Sequence, residues 1–158
     1  PIAYTADTDL KLDVLAQIMR SVYTEKVREE KGGTYGVSVD GQFWKYPADG
    51  CSMTISFRCD PNKYDELLPI IDQQLQLMAA EGPTEEQLET IKEYERKNYH
   101  RAVLTNGWWD YVRYHELREG IDFDKDYLKK VDSLTTKDIR NFCKLLTAPG
   151  NRIQVTMK

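Results

Sequence analysis

Histidine is nearly absent from this chain: His100 and His115 are the only two in 158 residues, and they stand fifteen positions apart. A helical zinc site needs imidazoles within one turn of each other, so each ring is read as a solvated or core-satisfied group. Cysteine is almost as scarce. Cys51, Cys59 and Cys143 form an odd set without metal-type spacing. The first two fall on one strand, too far apart along it to bond each other, and free thiols of core type are expected. No apolar run reaches the length of a membrane span. Basic excess is missing too: a net charge of −4 and a pI near 5.3 argue against a nucleic-acid binder, which shows a basic face. Repeats, low-complexity tracts and linkers are also lacking, so residues 1–158 read as one domain, with 41% hydrophobic residues to fill its core.

What is present is periodicity. Leu10, Val14, Leu15, Ile18, Met19 and Val22 recur at three- and four-residue intervals and predict a helix over 10–31, closed by Gly32 and Gly33. Tyr35, Val37 and Val39 alternate with small residues and predict a strand at 34–40, which Phe43, Trp44 and Tyr46 extend past Gly41. Pro47-Ala-Asp-Gly50 reads as a hairpin connection. Residues 51–59 alternate strictly, with Cys51, Met53, Ile55, Phe57 and Cys59 on one face. Asp60-Pro61 then opens a helix whose stripe is Tyr64, Leu67, Leu68, Ile71, Leu75 and Met78, with Pro69 bending it or shifting its start. Thr84 with Gln87 and Thr135 with Asp138 are capping boxes for helices reaching to about 104 and to Leu146. Shorter helices are predicted over 108–118, ended by Gly120, and near 124–131. Ile153, Val155 and Met157 predict a closing strand after Pro149-Gly150. Strands under a layer of helices make an α+β domain with an antiparallel-rich sheet. The lysines and arginines alternate with acids, as in Glu93-Tyr-Glu-Arg-Lys97, and mark a solvated helix face.

One stretch carries chemistry. In Arg28-Glu-Glu-Lys-Gly-Gly-Thr-Tyr35 the chain turns sharply, placing a guanidinium at a helix C-terminus near a phenol at a strand start. Arginine offers fixed charged donors and tyrosine a hydroxyl donor, a pair able to hold a carbonyl or a developing oxyanion. The bland alternative is a surface arginine favoured by the helix dipole and a half-buried strand tyrosine. Both groups are expected on one side of the domain, with their polar tips close and open to a concave face. Gly32-Gly33 is no phosphate cradle, because it follows a helix instead of preceding one.

The segment resembles the C-terminal-half signature of the pitrilysin/insulinase family of zinc peptidases. Val27-Arg28-Glu29 and Gly32-x-x-Tyr35 match it residue by residue, and Gly82-Pro-Thr-Glu-Glu-Gln-Leu88 and Leu134-Thr-Thr-Lys-Asp-Ile139 follow in the right order. The resemblance implies the metallohydrolase half-domain fold shared by LuxS and the mitochondrial processing peptidase. It also implies that 1–158 is excised from the C-terminal part of a longer peptidase. The family's zinc motif, His-x-x-Glu-His, is absent; His115-Glu-Leu-Arg-Glu119 is a near miss that lacks the second imidazole. The implied cofactor is therefore zinc held by a different, homologous domain on the same polypeptide or a partner subunit. Arg28 would orient the substrate backbone or neighbouring groups, Tyr35 would donate to the oxyanion, and a peptide would be the substrate. The isolated chain is then expected to be inactive. Two other readings stay open: a non-catalytic structural or peptide-binding subunit of the same family, and an unrelated α+β ligand-binding domain. The bacterial periplasm or cell envelope is favoured over the cytoplasm. Asn106-Gly-Trp-Trp109 could line a chamber, with a core role for at least one tryptophan.

Overall fold

A computed structural model of the chain describes residues 2–31, 34–148 and 150–157; the side chains of residues 27–31, 34 and 35 are outside the described part. The first helix, α1, runs Ala6–Lys31, one turn earlier than apolar periodicity predicts. Its start is set by a reciprocal cap: Thr8 N–H donates to Thr5 Oγ1 at 3.1 Å and Thr5 N–H to Thr8 Oγ1 at 3.0 Å. Strand β1, Thr34–Trp44, and strand β2, Gly50–Cys59, form a two-stranded antiparallel sheet with Val39 opposite Ile55 and Phe43 opposite Cys51. The first strand does pass through Gly41, for a packing reason. A Cβ there would stand 2.6 Å from Leu12 Cγ, so glycine lets α1 approach the sheet closely.

Asp60 caps a short 3₁₀ turn, Pro61–Lys63, by accepting from Asn62 N–H, and this feeds α2, Tyr64–Glu81. Pro69 sits inside α2 on its exposed side. Leu67, Ile71 and Met78 are the buried members of the predicted stripe. Both capping boxes form, starting α3, Glu85–Ala102, and α6, Thr136–Leu146. Between them lie α4, Asn106–Glu119, closed by Gly120 in the left-handed region at φ 71°, and α5, Tyr127–Ser133. Helix α4 starts two residues before the predicted 108, at Asn106-Gly107, because Thr105 caps it by accepting from Trp108 N–H.

Helix α1 is the centre of the core. Leu12, Val14, Leu15, Ile18, Met19 and Tyr23 are at most 2% exposed, because the helix contacts β1, α2, α3 and α6 around its girth. The sheet covers one of these sides. Val37, Val39 and Phe43 of β1 are buried, whereas Ile55, Phe57 and Cys59 of β2 are half-buried. Among the described residues β2 pairs with β1 alone. The predicted closing strand at 153–157 does not form: residues 151–157 have no strand structure. A strand exists only through ladder hydrogen bonds to a neighbour, and this segment lies along α2 instead. Arg152 pairs with Asp72 at 2.8 Å, and Gln154 and Thr156 both bond the Tyr64 hydroxyl. Ile153, Val155 and Met157 are left in solvent, each more than 80% exposed. The architecture is thus α+β, mostly helical, with a small antiparallel sheet.

Candidate functional site

The backbone places Arg28 near the C-terminal end of α1 and Tyr35 near the start of β1. The side chains of both, and the Gly32-Gly33 link, lie outside the described residues, and so does the expected meeting of their polar tips. What is described is the scaffold on either side. Two turns before Arg28, Arg20 Nη2 donates to the Val39 carbonyl at 2.5 Å and lies 3.5 Å from Asp40, fastening α1 to β1. Tyr23 is fully buried and its hydroxyl donates to the Ile71 carbonyl at 3.1 Å, fastening the same stretch to α2. The register of β1 against β2 shifts between Thr34 and Val37, and Gly36 takes φ 143°. That backbone favours glycine. From Val37 onward the pairing is regular, and Ser38, Asp40 and Gln42 present a polar, exposed face with Thr54, Ser56 and Arg58 beside them. An open groove of about 840 Å³ lies between α1 and α3, with Arg20, Ser21, Thr24 and Glu25 on one wall and Thr90, Ile91 and Tyr94 on the other.

A second feature escaped the sequence reading. A cavity of about 440 Å³ sits where α1, α3, α4, α5 and residues before α1 converge. Its walls are rings and carboxylates. Tyr4 stacks on Phe43 at 5.1 Å, and Tyr111 and Phe123 close on His115 at 4.4 and 5.1 Å. Asp9 and Asp13, one turn apart on α1, face it along with Glu95 of α3. Gln17 Nε2 bridges two of these acids, donating to Asp13 Oδ2 at 2.8 Å and Glu95 Oε1 at 2.6 Å, and Tyr127 donates to Glu95 Oε2 at 2.6 Å. Burial, then the charge of Asp13, pushes Asp9 up to about 6. Partial desolvation, then Glu95, pushes Asp13 upward, but its side chain is exposed, and the Gln17 hydrogen bond and the Arg20 charge pull the other way, so solvent screens most of the effect. The signal was present: two acids at i and i+4 inside the α1 apolar pattern, and another interrupting the face of α3.

The remaining candidates find ordinary partners. His115 Nδ1 lies 2.6 Å from Glu119 Oε2, so the glutamate at the near-miss position holds the ring. Trp108 is half-buried; its indole N–H and the Tyr99 hydroxyl both donate to Asp124 Oδ1. Trp109 is 41% exposed and donates to the Val103 carbonyl. Burial pushes the Cys143 thiol up to about 11, while Cys51 and Cys59 are half-buried free thiols on β2. Among the described residues no group of three or more His, Cys, Asp or Glu is placed to hold a metal ion, and no helix is long and apolar enough to cross a membrane.

Known proteins give this geometry a family. The chain superposes on the periplasmic protease PqqL from Escherichia coli with a TM-score of 0.77 at 17% identity, over 90% of this chain and 16% of that one. It superposes on the ferredoxin protease FusC, solved with Arabidopsis ferredoxin, with a TM-score of 0.72 at 19% identity, over 94% of this chain and 17% of that one. A protease from Helicobacter pylori gives a TM-score of 0.74 at 15% identity, over 92% and 35% of the two chains. The chain therefore spans about one sixth of the length of the first two. No curated protein matches it in sequence. Residues 1–94 match the pattern described as the peptidase M16 inactive domain. With more than half of its length matching that pattern and its fold shared with these proteases, the chain belongs to the M16 (pitrilysin) peptidase family, as a C-terminal-half domain of the inactive type.

Proposed function

We propose that this chain is the non-zinc half of a zinc-dependent peptidase and completes an active site shared with a homologous half. The observation that carries the reading is the match of Val27-Arg28-Glu29 and Gly32-x-x-Tyr35 to the family signature, on the end of α1 and the start of β1, in a chain of the inactive-domain type. The described residues do not fit a zinc ion: His115 is held by Glu119, and no group of three or more His, Cys, Asp or Glu is placed among them to hold one. The metal and the activated water then belong to the other half. In this division of labour Arg28 holds and orients the peptide, and Tyr35 donates a hydrogen bond to the carbonyl oxygen as it becomes an oxyanion. One such donor contributes roughly 3–4 kcal/mol to transition-state stabilisation. By itself the chain has no route to activate water and is inactive. An envelope location agrees with the periplasmic setting of the Escherichia coli neighbour.

The test is Tyr35→Phe in the complete peptidase, with zinc content measured in parallel. The expected outcome is a fall in kcat of roughly 10²–10³ with KM within about threefold, because the bond is made chiefly in the transition state. Arg28→Lys is expected to impair turnover as well, since an ammonium cannot reproduce the planar fork. Unchanged turnover in Tyr35→Phe with zinc retained removes the catalytic role and leaves a structural or peptide-binding subunit. Chelator-sensitive hydrolysis by the isolated chain would overturn the division of labour itself.

A further inference from the structure

We propose that Arg20 is a positioning residue for the Arg28–Tyr35 pair, an inference that rests on the division of labour proposed above. Its guanidinium crosses from α1 to β1: Nη2 donates to the Val39 carbonyl at 2.5 Å and lies 3.5 Å from Asp40. The two elements joined in this way are the ones that carry the pair. Along α1, Arg28 stands eight residues beyond Arg20, about 12 Å at helical rise. Along β1, Tyr35 stands four residues before Val39, about 13 Å at strand rise. The clamp therefore has nearly equal reach to both groups, and it sits on the last stretch where helix and strand belong to the core. Among the described residues, burial on α1 ends with Val22 and Tyr23, and on β1 it begins at Val37. Thr24, Glu25 and Gly36 are already exposed, and the register shift between Thr34 and Val37 interrupts regular pairing there.

Apolar packing sets the spacing of α1 and β1 but not their relative slide or rotation, because it is non-directional. A hydrogen bond to one backbone carbonyl does set them, and a guanidinium donor makes that bond a strong one. Asp40 adds little, since the Arg20 and Asp40 side chains are 49% and 68% exposed and water screens the ion pair. One turn further on, the Tyr23 hydroxyl ties α1 to the Ile71 carbonyl of α2. Arg20 thus fixes β1 against a helix that is already held. The lever is long. A rotation of about 5° about the clamp moves a group about 12 Å away by about 1 Å, and a misplacement of that size can lower turnover by about 10². Arg20 is not itself catalytic; it acts through the aim of Tyr35 and Arg28.

Steady-state kinetics of Arg20→Met in the complete peptidase, alone and in the Tyr35→Phe background, test the assignment, with zinc content and thermal unfolding followed in parallel. Methionine keeps an unbranched apolar stem and removes every donor. The expected result is a fall in kcat of about tenfold or more with KM within about threefold, zinc retained and the unfolding midpoint lowered by no more than about 4 °C. In the Tyr35→Phe background the same change costs less than about threefold, since the aim of a missing hydroxyl no longer matters. Asp40→Asn, which leaves the carbonyl bond in place, stays within about twofold of the unaltered enzyme. Arg20→Gln repeats the measurement should Arg20→Met not fold. Unchanged kcat in Arg20→Met, an equal fall in both backgrounds, or a loss in Asp40→Asn as large as in Arg20→Met overturns the clamp, while a Tyr35→Phe loss leaves the shared active site standing. Full turnover in Tyr35→Phe overturns both.

Discussion

Gly41 offers the sharpest test of how α1 is seated on the sheet. Replacing it with alanine adds one methyl group, which would stand 2.6 Å from Leu12 Cγ and 3.2 Å from both of its Cδ atoms. Neither partner can yield freely. Leu12 is 2% exposed and enclosed by core, and Gly41 is paired with Met53 in the middle of the hairpin. Overpacking of this kind costs typically 1–3 kcal/mol, and the overlap with a branched carbon points to about 2 kcal/mol. For a chain of this length that corresponds to a fall in Tm of roughly 4–8 °C. Urea or thermal unfolding measures the effect, but the decisive assay is a double-mutant cycle with Leu12→Ala. Alone, the truncation of Leu12 costs about 2–5 kcal/mol through the cavity it leaves. Combined with Gly41→Ala, it makes room for the new methyl, so the pair should be less destabilising than the sum by about 1 kcal/mol or more. A neutral Gly41→Ala, or strict additivity with Leu12→Ala, would refute the close approach and the explanation of why β1 runs through that glycine.

Tyr23→Phe should cost about 1–2 kcal/mol in the same unfolding assay, because it strips the Ile71 carbonyl of its buried donor while keeping the ring; a loss near zero would show that the 3.1 Å bond is not maintained. Cys143 should resist thiol reagents at pH 8 in the folded chain and react only on unfolding, since burial both hides the sulfur and holds its pKa near 11. Rapid labelling of Cys143 under native conditions would contradict the position of α6 against the core.

Elements whose causes lie within a few residues were legible from the chain alone. The boxes Thr84–Gln87 and Thr135–Asp138 start α3 and α6, and Gly120 ends α4, because a cap is a hydrogen bond between near neighbours. The early start of α1 was legible in principle through Thr5 and Thr8, a reciprocal threonine pair that apolar periodicity passes over. The alternation of 153–157 looked as strand-like as that of 51–59, yet only the latter became a strand. Alternation names the face a strand would bury but cannot supply the partner that makes it one, and β1 is that partner for β2 alone.

The sequence by itself determined the family and the two residues proposed for its chemistry, since Arg28 and Tyr35 belong to one short local signature. It also determined that no histidine pair at metal spacing exists here. Only the tertiary structure decided that Asp9, Asp13, Glu95, Tyr111, His115 and Tyr127 share one cavity. These residues come from four helices spread over most of the chain, and no local pattern encodes which faces of those helices meet. Their charges perturb one another only because packing removes the water that would otherwise separate them.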